Sequence, residues 1–186
     1  MAVVFANSGK KTLLLGADLR KPKLYEGFEV DNSIGLSTIL DGDSSVDEVI
    51  VNLEENLDIL IAGPIPSNPA DIFLSDKFEA LINSLRKKYD KIIIDTAPIG
   101  LVADGYMVMK YTDVNLYVVR QNYTSKDVLR FVNDLEKNNR IENLYLILND
   151  VNSGSGVYGY GKHSYGYGYG YGYGTYTKDS DYFTDN

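Results

Sequence analysis

Two carboxylates stand where strand-length apolar runs end: Asp18 in LLLGADLRKP and Asp95 in IIIDTAP, each followed within a few residues by proline. If both runs are strands of one parallel sheet, their C-terminal ends line the ligand crevice and the two acids face the same cleft. Acids so placed hold the water shell of Mg²⁺, an ion that prefers oxygen ligands and keeps several waters. Either also takes a proton from a hydroxyl. Singly, each serves equally well as a turn or helix-capping residue. A second reactive group closes the chain. Nine of its sixteen tyrosines (Tyr158, Tyr160, Tyr165, Tyr167, Tyr169, Tyr171, Tyr173, Tyr176 and Tyr182) crowd the last stretch, where Gly alternates with Tyr. Phenols on such a backbone suit three uses: phosphoacceptors, an aromatic-faced strand, or a sticky low-complexity segment.

Bulk properties narrow the classes. Of 186 residues, about 150 precede the tail, enough for one sizeable core. The net charge is −8, and the tail supplies only −1 of it, from Lys162 and Lys178 against Asp179, Asp181 and Asp185. An acidic body argues against nucleic acid or anionic lipid as a partner. With no cysteine, disulfides and thiolate chemistry are excluded, which fits a reducing compartment. No His/Cys cluster or Ser–His–acid set occurs, so zinc sites and triad hydrolases are excluded as well. The one histidine, His163, lies in the tail and is expected to be solvated. No apolar run approaches the ~18–20 residues needed to cross a bilayer, and the start lacks a secretory signal. The expected location is cytoplasmic.

The elements that must position the acids follow from periodicity. Thr12 to Ala17, Leu57 to Ala62, Lys91 to Asp95, Val114 to Arg120 and Asn143 to Asn149 read as strands. Most are continuously apolar, as in a parallel sheet covered by helices on both faces. Phe78, Leu81, Ile82 and Leu85 recur at helical spacing, with Ser75 and Asp76 at the start and Lys87 and Lys88 at the end. Val128, Phe131, Val132 and Leu135 repeat that spacing, and Thr124 with Asp127 reads as a capping box. The alternation implies a doubly wound, mostly parallel α/β domain over residues 1–150. Gly63 to Pro69, with three prolines, is a rigid loop after a strand. At Val151 to Gly156 apolar residues give way to Gly and Ser, which sets a flexible tail over 151–186.

These residues carry a resemblance. The chain resembles the cytoplasmic catalytic domain of bacterial tyrosine kinases, the exopolysaccharide-export class on a MinD/ParA-like P-loop fold. Leu13 to Leu15 with Asp18 and Arg20 look like its Walker A′ motif, three apolar residues and then D-x-D-x-R. Ile92 to Ile94 with Asp95 and Pro98 look like its Walker B. Gly35 to Leu40, Pro66 to Asp71, Asp104, the Leu148–Asn149 strand end and the closing tyrosine cluster are similar too.

The resemblance implies Mg²⁺ and ATP as cofactors, with Asp18 and Asp95 as metal-side and catalytic residues. It gives Arg20 a phosphate or a neighbouring subunit's acid to bind, although a surface salt bridge serves as well. It gives Asn149 the adenine, against a simple capping role. The tail tyrosines become acceptors phosphorylated in trans within a homo-oligomer. Each phosphate adds about −1.5 to −2 charge, so phosphorylation would drive subunits apart. A membrane chain-length regulator, fused or separate, would be the activator and hold the domain at the inner face of the plasma membrane.

Two departures accompany it. The 186 residues contain no G-x-x-x-x-G-K-[ST] loop, whose backbone N–H groups cradle phosphates. The expectation is an N-terminal truncation that starts inside the helix following that loop, removing a central strand. Gly16 also occupies the place of the first Walker A′ acid. The sequence is therefore expected to be inactive alone. Two alternatives stand beside the kinase reading: a non-enzymatic scaffold whose tail an intact paralogue phosphorylates, and a MinD/ParA-type ATPase.

Overall fold

The computed structural model describes residues 1–99, 103–137 and 141–151. The linker beyond Val151, His163 and all nine tail tyrosines lie outside the described residues. The first half of the chain runs α1 (Ala2–Asn7), β1 (Thr12–Gly16), α2 (Leu24–Phe28), α3 (Leu36–Asp41), α4 (Val46–Val49), β2 (Val51–Glu54) and β3 (Leu57–Leu60). The second runs α5 (Pro69–Leu74), α6 (Asp76–Lys88), β4 (Lys91–Asp95), α7 (Asp104–Met109), β5 (Asn115–Arg120), α8 (Lys126–Lys137) and β6 (Leu144–Asn149).

Among the described residues the strands form two sheets, one ordered β2-β3-β1-β4 and the other a β5–β6 pair. β1 runs parallel to both β3 and β4, and β5 runs parallel to β6. The fold is thus α/β and mostly parallel, as the continuous apolar runs imply. Only β2, paired antiparallel to β3, departs from that rule. Its sequence, VNLE, alternates instead of running apolar, and it lies largely exposed at the sheet edge.

All five residues of β1 are buried, because β1 has a strand on each side and helices on each face. Leu13 and Leu15 point into a cluster with Phe78, Leu81, Ile82 and Leu85 of α6. Leu14 points the opposite way, into a cluster with Ala2 and Ala6 of α1. The α6 register matches the expected one, and Ser75 Oγ accepts a hydrogen bond from the Phe78 N–H at 3.2 Å.

Helix α8 corrects its expected cap and the width of its apolar face. Thr124 does not cap it: its Oγ1 accepts from the Arg120 N–H at 2.9 Å, which folds the turn after β5 back on itself. Ser125 takes the capping place, its Oγ accepting from the Val128 N–H. Val132 and Leu135 are buried while Phe131 remains 42% exposed, so the apolar face turned inward is narrower than the spacing suggested. Pro69 likewise leaves the rigid loop and opens α5 as its first residue, a place where its missing N–H costs nothing.

Candidate active site

The register of β1 against β4 sets Gly16 opposite Asp95, and the Ala17 N–H donates to the Asp95 carbonyl at 2.7 Å. Asp18 therefore leaves its strand beside the tip of the other. Both acids line one shallow hollow of about 10 Å³, together with Gly16, Lys23, Tyr25 and Ala62. That is room for about one water molecule.

The two carboxylates differ in surroundings. Asp18 Oδ1 accepts from the backbone N–H groups of Arg20 at 3.1 Å and Lys21 at 3.0 Å, so the acid also shapes the turn that carries it. Asp95 holds its proton more tightly than an ordinary aspartate, first through partial removal from water and then through the negative charge of Asp18. Asp95 remains exposed, so solvent screens part of both effects. A like-charged pair at strand tips suits a divalent cation, which would relieve the repulsion. Among the described residues no group of three or more His, Cys, Asp or Glu could hold a metal. Mg²⁺ does not need one, since it uses one or two carboxylates and completes its shell with water and substrate oxygens.

Gly16 has a packing consequence. A Cβ at this position would lie 3.3 Å from the Ala62 nitrogen and 3.3 Å from Leu24 Cδ2. The neighbours would have to give way for any side chain here, so the hollow is built around a glycine.

Arg20 does not point into the hollow. Its Nε donates to Asp104 Oδ2 at 2.6 Å and its Nη2 to Asp104 Oδ1 at 3.1 Å. Asn149 ends β6 in the two-stranded sheet, where its carbonyl accepts from the Gln121 N–H; it does not line the hollow shared by the acids. The structure thus brings Asp18 and Asp95 together, ties Arg20 to the start of α7, and leaves Asn149 elsewhere. Sequence reasoning missed Asn32, whose side chain brackets Gly63. Its Nδ2 donates to the Gly63 carbonyl and its Oδ1 accepts from the Gly63 N–H, both at 2.9 Å. This fixes the loop that follows β3 at the same sheet end as the acids. Thirty-one residues separate the partners, so no local pattern announced the pair.

A mostly parallel α/β domain with two acids at adjoining strand tips defines a class that handles its ligands at the sheet's C-terminal edge. No family model matches the chain. It is 39% identical over 128 residues to the tyrosine-protein kinase YwqD of Bacillus subtilis, covering 68% of this chain and 54% of that one. The crystal structure of the VpsO kinase domain is 35% identical, with a TM-score of 0.74, over 81% of this chain and 75% of that one. The septum site-determining protein MinD of Pyrococcus horikoshii, solved with Mg-ADP, shares 27% identity and a TM-score of 0.58, over 78% and 58% of the two chains. The chain belongs to the bacterial tyrosine-kinase family, on the P-loop fold that MinD also uses. It spans about half the length of YwqD.

Proposed function

We propose that residues 1–150 supply the metal-side acids of a protein-tyrosine kinase site, and that residues 151–186 are its phosphoacceptor tail, serving polysaccharide synthesis or export. The shared hollow of Asp18 and Asp95 carries this reading. Mg²⁺, when bound, would neutralise charge on a transferring phosphoryl group. Asp18, already anchored by two backbone N–H groups, is suited to hold the ion's water shell. Asp95, with its raised proton affinity, is suited both to the water shell and to taking the proton of an incoming tyrosine hydroxyl. Alternating glycines let each phenol approach closely, as delivery into a neighbouring subunit's crevice requires.

The residues do not fit ATP as well as they fit the ion. No G-x-x-x-x-G-K-[ST] loop occurs in the 186 residues, so phosphate contacts central to phosphoryl transfer are lacking. That favours a second reading, in which this chain is the acceptor and an intact family member the kinase. Trans-phosphorylation within a homo-oligomer and activation by a membrane chain-length regulator belong to the first reading. Among the described residues no helix is long and apolar enough to cross a membrane.

The test incubates the 186-residue chain with Mg·ATP, alone and with an intact bacterial tyrosine kinase, and maps phosphotyrosine by mass spectrometry. Labelling of the isolated chain supports the enzyme. Labelling only in the mixture supports the acceptor. No tyrosine phosphorylation in either arm rejects both.

A further inference from the structure

Asp104 is a buried carboxylate that the proposed chemistry does not use. It opens α7, and its side chain is 2% exposed. Its two oxygens accept from Arg20 Nε and Nη2. α7 lies hard against the segment that follows Asp95: a Cβ on Gly105 would stand 2.6 Å from Ile99 Cγ2. Asp104 is therefore a fixed anchor, and Arg20 is what it holds. Stability alone is a poor reason for the pair, because well-packed apolar residues in place of a buried ion pair are often as stable or more so. The position of Arg20 supplies another reason. Its backbone N–H donates to Asp18 Oδ1 at 3.1 Å, so its side chain springs from the turn that this acid shapes. Asp18 also acts on the guanidinium, though less than the hydrogen bond to Asp104 does. Two negative partners compete for one guanidinium, and Asp104 has it.

We propose that Asp104 is a positioning residue: by holding the Arg20 fork it keeps that charge off Asp18 and Asp95, to the benefit of a divalent cation. The inference rests on the metal-site reading of those two acids. A guanidinium is planar, always charged and shaped to take a carboxylate through two parallel hydrogen bonds. Released from Asp104, it would turn to Asp18, two residues back in the same turn. There it would do part of a cation's work by offsetting the repulsion between the acids. A divalent ion arriving later would meet its positive charge. Asp104 prevents this without adding net charge, since the Arg20–Asp104 pair is neutral as a unit. The role passes wholly through Arg20, because Asp104 itself does not line the hollow.

The probe is Mn²⁺, read by electron paramagnetic resonance on the full 186-residue chain as a stand-in for Mg²⁺. Asp104→Asn keeps the shape of the side chain but removes the charge that holds Arg20. It should weaken Mn²⁺ binding about fivefold or more, since a freed cation then competes at the acids. Adding Arg20→Gln should bring the affinity back to within about twofold of the unsubstituted chain, because the competing charge is gone. A merely structural Asp104 predicts the reverse, a double variant as weak as the single one or weaker. The second readout is the Arg20 Nε–H resonance in ¹⁵N NMR. Asp18→Asn should displace it further in the Asp104→Asn background than in the unsubstituted chain. If Asp104→Asn does not fold, Arg20→Lys takes its place: the charge stays, the fork is lost, and Mn²⁺ binding should still weaken. Unchanged Mn²⁺ affinity in the single variant that folds, or no recovery in the double, overturns the proposal. No Mn²⁺ binding by the unsubstituted chain rejects the metal-site reading instead. The arginine resonance then decides alone: a larger displacement in Asp104→Asn supports the proposal, and an equal one overturns it.

Discussion

Arg20 and Asp104, 84 residues apart, meet through two hydrogen bonds of 2.6 and 3.1 Å. The Asp104 side chain is 2% exposed and that of Arg20 is 40% exposed. The pair clamps the turn after β1, which carries Asp18, to the first turn of α7. It also holds the guanidinium proton more firmly than usual, chiefly through the hydrogen bond to Asp104. The next residue, Gly105, reinforces the clamp: a Cβ there would stand 2.8 Å from the Ala97 carbonyl, just beyond Asp95.

Arg20→Ala should therefore strand a buried carboxylate. Removing one partner of a buried pair costs about 3–5 kcal/mol, and the exposure of Arg20 places this case below that range, at about 2–3 kcal/mol. Urea unfolding would show a lowered midpoint at unchanged slope. The apolar double replacement Arg20→Met with Asp104→Leu should be less damaging than Arg20→Ala. A loss below about 0.5 kcal/mol in Arg20→Ala would show the clamp to be incidental.

The raised proton affinity of Asp95 has a definite sign for stability. The fold binds this proton more tightly than the unfolded chain does. Stability contributed by Asp95 is thus greatest below the unfolded value of about 3.9 and declines as pH rises through the higher folded value. Asp95→Asn should raise Tm at pH 7 and change it little at pH 3. Asp18→Asn should lower the Asp95 titration midpoint in carboxyl ¹³C NMR, since Asp18 contributes to the elevation. An unmoved midpoint would mean that burial alone sets it.

The loop beside the acids depends on a close backbone approach. A Cβ on Gly35 would lie 2.1 Å from the Gly63 nitrogen, and Gly63 itself has φ +78°. Gly35→Ala should force the two segments apart, at a cost of about 3 kcal/mol or more for overpacking against backbone. Asn32→Ala leaves both Gly63 backbone groups without the side-chain partner and should cost about 1–3 kcal/mol. Thermal melts of the two variants would check this, with Gly35→Ala the more severe.

How far these features were legible follows from the range over which each is encoded. β1, β3, β4, β5 and β6 announce themselves because each is a short run of neighbours. Asp18 and Asp95 could be paired from sequence because both end such runs, and parallel strands align their ends. The clamp from Arg20 to Asp104 and the Asn32 bracket on Gly63 are long-range contacts without a periodic signature. α1 to α5 span four to six residues each, too short for a helical period to emerge. Thr124 and Ser125 are equally good caps by residue type, and only the Arg120 backbone decided between them.

Both carboxylates are in place for a hydrated cation, so Mg²⁺ at millimolar concentration should lower the Asp95 midpoint by stabilising its ionised form. Asp18→Asn should blunt that response, because Mg²⁺ would lose one of its two anchoring charges. ATP has no such preparation: nothing in the 186 residues matches the loop whose amides cradle its phosphates. Calorimetry with Mg·ATP should show no micromolar binding to this chain. Micromolar binding would mean that other residues cradle the phosphates, and the acceptor reading would lose its main support. A Mg²⁺ response indifferent to Asp18 would instead dissolve the shared site itself.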